Sequence, residues 1–142
     1  MLTQREKEAL FIEIHRAIED AAARTAAALR AGAVDLAYPP NAGLSPAEQA
    51  ALQSLKVTRD LESALRKVLA DAASTPLFQF FTLLDGVGGP REYDGEWLGL
   101  VLSKPGGDEE QGEMLHDEFF DSYWQWRARR PDPGWKLDTY EG

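Results

Sequence analysis

The longest regular alternation of apolar and polar positions opens the chain. Leu10, Ile14, Ala17, Ile18, Ala21, Thr25, Ala28 and Leu29 share one face at helical spacing, and Thr3 with Glu6 ahead of them has the form of a capping box. With Gly32 as the stop, the pattern predicts one helix over residues 4–31. Its second half is rich in alanine, and Ala21, Ala22 and Ala28 bury little area each but let a neighbouring helix approach closely. That half therefore requires a tightly packed partner.

Pro39, Pro40 and Asn41 break the periodicity and mark a loop over 33–43. Ser45, Pro46 and Glu48 then combine an N-cap, a first-turn proline and the third-position acid of a capping box, predicting a short helix to about residue 55. Thr58 or Asp60 is placed to cap a third helix with Leu61, Leu65, Val68 and Ala72 on one face, ending before Pro76. Thr75 and Pro76 repeat the cap-plus-proline pattern. The run from Leu77 to Leu84, apolar on nearly every side and closed by Asp85 and Gly86, reads as a separate helix in the middle of the core, with a strand over 77–81 as the rival reading.

Residues 85–95 are glycine-rich and contain Pro90, the signature of a loop. The short apolar run 97–102 predicts a strand. From Glu109 to Arg129 acidic and aromatic residues alternate at helical spacing: Leu115, Phe119, Tyr123 and Trp126 lie on one side, Glu118, Asp121 and Gln125 opposite, and His116 inside the apolar arc. The fold expected is mainly α, four to five helices around a central aromatic-rich helix with a small β element near 97–102, and α+β as the alternative. Residues 1–142 are read as a single globular domain.

Composition sharpens this picture in three ways. The 142 residues include 44% hydrophobic positions, with four Trp, four Tyr and six Phe, enough to build a core without staples, and there is no Cys to form one. No run approaches the roughly 20 apolar residues that span a bilayer, and Met1 to Glu8 is charged, so neither leader nor anchor is expected and the cytoplasm is the expected compartment. The net charge of −9 opposes binding to nucleic-acid phosphates or anionic membranes; it reads first as a solubilising surface and, more sharply, as a surface for a basic protein partner.

Candidate chemistry is sparse. Glu113 and His116, three apart on the last predicted helix, match half of a carboxylate-bridged metal site; His15 and Glu19, four apart on the first, are the available complement. A histidine packed among aromatics and hydrogen-bonded to an acid or carbonyl explains His116 more simply. Asp117, Glu118 and Asp121 sit away from the apolar stripe, as a solvated face or a patch for a cationic partner. Gly86 to Gly89 lacks the Lys and Ser/Thr of a phosphate-cradling loop, and Ser103 lacks the flanking glycines of a nucleophile elbow. Arg127, Arg129 and Arg130 suit a helix C-terminus without further function.

In size, acidity and lack of catalytic carriers the chain resembles small accessory proteins, among them immunity proteins that neutralise basic toxins; the likeness is one of composition and carries no motif. The leading expectation is a non-enzymatic protein-binding or accessory protein with no cofactor and a basic protein partner. The alternative is a metal-dependent or small-molecule-binding enzyme using the Glu113, His116 and His15 region. The long first helix could also exchange between subunits, which makes a homo-oligomer conceivable.

Overall fold

A computed structural model describes residues 3–100 and, beyond them, Trp124 and Ala128. Among the described residues the chain is mainly helical and contains no strand. Three helices occur in the order α1 (Gln4–Ala31), α2 (Pro46–Gln53) and α3 (Arg59–Leu84). Of the expected helix over 109–129 only Trp124 and Ala128 are described, both in helical conformation, and its other residues lie outside the described residues. The chain divides into two compact units, one of residues 1–27 with 57–107 and another of residues 28–56 with 108–142.

The helix starts follow from local side-chain chemistry. At α1 the Thr3 amide donates to the Glu6 carboxylate at 2.8 Å, and the Glu6 amide donates back to Thr3 Oγ1 at 3.3 Å. At α2 the Ser45 amide donates to Glu48 at 2.7 Å and the Glu48 amide to Ser45 Oγ at 3.3 Å, with Pro46 in the first turn. Thr58 caps α3, its Oγ1 accepting from the Leu61 amide at 3.2 Å. Each cap gives a partner to amides that have none within the helix.

The capping box makes the α2 start pH-dependent. The Ser45 backbone and then side-chain hydrogen bonds hold the Glu48 carboxyl below the usual glutamate value, against a smaller opposing desolvation. Because the folded-state value is depressed, the contribution is present above the unfolded glutamate value and is lost as pH falls through the folded one. In an NMR titration the Ser45 amide resonance should move with a midpoint below that of unperturbed glutamates. A midpoint at or above theirs would show that the box does not hold in solution.

Both long helices end in the same device. Gly32, with φ +66°, and Gly86, with φ +70°, take the left-handed position after α1 and α3. The Ala33 amide reaches the Ala28 carbonyl and Gly32 reaches Leu29; likewise Val87 reaches Thr82 and Gly86 reaches Leu83. This is the paired 6→1 and 5→2 bonding of a Schellman motif.

Two sequence expectations are corrected. The first is the break at Pro76: α3 runs straight through the proline, so residues 59–84 form one helix where two were expected. Leu69, Ala73, Leu77 and Phe81, each half-buried, continue one packed stripe across the proline. The Thr75 hydroxyl expected to cap a new helix instead turns back: Thr75 Oγ1 donates to the Asp71 carbonyl at 3.2 Å and the neighbouring Ser74 Oγ donates to it at 2.8 Å, in the turn where a proline weakens the ladder. Packing on both sides outweighs the local signal. Since an interior proline costs about 3 kcal/mol relative to alanine and restricts the unfolded chain by less, Pro76→Ala should stabilise the protein by about 1 to 2 kcal/mol. A lower urea midpoint for the variant would show that the ring makes contacts that outweigh its helix cost.

The second correction concerns the run after the glycine-rich loop. Its described part, 97–100, is no strand, because Gly99 adopts φ +86°, which breaks extended backbone. The segment instead folds back on the C-terminus of α3: the Leu100 amide donates to the Leu84 carbonyl at 2.9 Å and Trp97 Nε1 to the Leu83 carbonyl at 2.7 Å. With Asp85 bonded to Phe81 and Val87 to Thr82, all four terminal carbonyls of α3 are satisfied.

In the first unit α1 and α3 run antiparallel, since Phe11 near the start of α1 meets Phe81 near the end of α3, while Ala22 shares a hollow with Ser63 and Ala70. The alanine-rich half of α1 packs closely: Ala22 and Ala26 are buried, the latter completely. The aromatic end of α3 is not the enclosed centre expected of it. Phe78 is 71% and Phe80 49% exposed, and only Phe81 is half-buried.

Candidate functional site

Beyond the buried alanines of α1, towards the end of α3, an apolar groove is lined by both helices. Phe11, Ile14, His15 and Ile18 form the α1 wall, at the i, i+3, i+4, i+7 spacing of one helix face. Ser74, Thr75, Leu77, Phe78 and Phe81 form the α3 wall, and the space between is about 570 Å³. The Phe11 and Phe81 rings meet edge to face at 5.4 Å and 88°, a favourable aromatic geometry. Phe80 leans on Phe81 from outside the groove, with centroids 5.8 Å apart.

The groove has little polar chemistry. Ser74 and Thr75 spend their hydroxyl protons on the Asp71 carbonyl, leaving only oxygen lone pairs for a ligand. His15 lies on the exposed rim. What the groove offers is apolar contact area, on two helices whose charges cancel: α1 carries five basic and five acidic residues, α3 three and three. The negative charge of the chain is therefore concentrated elsewhere in the sequence. Residues 101–142 alone hold ten Asp or Glu against five Lys or Arg.

The sequence-predicted metal residues fall apart as follows. His15 lines the groove, whereas Glu19 lines a separate hollow of about 370 Å³ with Ser63, Arg66 and Lys67. Among the described residues no group of three or more His, Asp or Glu is placed to hold a metal ion. Glu113 and His116 lie outside the described residues, as do Asp117, Glu118 and Asp121 of the expected partner-binding face. No described helix is long and apolar enough to cross a membrane.

No protein family, curated protein or solved structure matches the chain. Sequence reasoning missed Phe11 as a groove residue, although it stands three, four and seven residues before Ile14, His15 and Ile18. It placed Phe78 in the core. The signal that could have found the groove is the coincidence of two aromatic-bearing faces, 11/14/18 and 74/78/81, on the two longest helices.

Proposed function

We propose that the protein is a non-enzymatic binding protein that engages a basic protein partner and takes an apolar segment of that partner into the groove between α1 and α3. The observation that carries this reading is the exposure of the groove walls: Phe78 is 71% and Phe11 44% accessible, side by side with an apolar hollow of the size that accepts a partner's large side chains. Aromatic anchors in a groove flanked by two helices suit an amphipathic helix as the inserted element. The net charge of −9 supports a basic partner, because long-range attraction raises the association rate and selects against acidic competitors.

The two contributions separate by their response to salt. Attraction by the net charge is screened beyond about 8 to 10 Å at physiological ionic strength, whereas apolar contact in the groove is not. The full-length protein, immobilised and exposed to a lysate at low salt, should retain a basic polypeptide; with that polypeptide purified, raising salt should slow association and leave dissociation nearly unchanged. Retention of no polypeptide, or of an acidic one whose association is indifferent to salt, would contradict the proposal.

A further inference from the structure

We draw no further inference here: the strongest candidate outside the groove already described, the mixed-charge hollow between α1 and α3 lined by Glu19, Ser63, Arg66 and Lys67, is walled by exposed side chains and nothing in the structure points to a ligand for it.

Discussion

Gly99→Ala should lower the stability of the protein by about 2 to 4 kcal/mol, combining the cost of a side chain in a left-handed conformation with that of overpacking. Gly99 has φ +86°, and a Cβ there would collide with the Leu84 carbonyl oxygen and lie 2.7 Å from the Gly86 amide nitrogen. Both obstacles are backbone, so no side chain can swing away. The relation is mutual: a Cβ on Gly86 would come within 2.8 Å of the Leu98 carbonyl oxygen and 3.1 Å of the Gly99 nitrogen. The end of α3 and the returning segment thus meet backbone to backbone, which lets Leu100 and Trp97 reach the last carbonyls of the helix. Separating them would leave those carbonyls to find water instead. Gly88 is the control, with nothing within 4 Å of its added Cβ; Gly88→Ala should stay within about 0.5 kcal/mol of wild type. Urea midpoints for the two variants check this, and equal midpoints would show that the 97–100 segment does not dock on α3.

What could be read from the sequence is what is decided locally. The Thr3/Glu6 and Ser45/Glu48 boxes, the Thr58 cap and the Gly32 and Gly86 stops each involve residues within a turn of one another, and each is found where the pattern puts it. Pro76 departs from its local signal for the same reason that the caps obey theirs. Thr-Pro is a local signal for a helix start, but the stripe from Leu69 to Phe81 packs across it, and that packing is not local. Gly99 belongs with Pro76, since its left-handed backbone matters only because Gly86 stands opposite, thirteen positions earlier. The groove was hidden in another way. An apolar run announces that area is available for burial, not which rings are covered, and Phe78 and Phe81 are three residues apart on one helix yet differ sharply in exposure. Of the expected site residues, His15 and Glu19 lie on the same helix as predicted but line different hollows, because each faces a different stretch of α3.

Phe78→Gln should weaken partner binding about 30-fold or more, the loss typical of an aromatic hot spot of at least 2 kcal/mol, while changing stability by no more than about 1 kcal/mol. The asymmetry follows from exposure: the ring is 71% accessible in the free protein, so the fold gains little from it, whereas a docked partner would bury it. Glutamine keeps the net charge and favours helix, so neither electrostatic steering nor α3 is disturbed. Val68→Gln supplies the comparison, since Val68 is 64% exposed on the same helix but does not line the groove. The most direct test of the groove as the binding surface is calorimetric titration of the purified basic partner into wild type, Phe78→Gln and Val68→Gln, each shown to be folded by circular dichroism. The account predicts that only Phe78→Gln loses affinity. Equal affinities for all three proteins, or a loss confined to Val68→Gln, would contradict it.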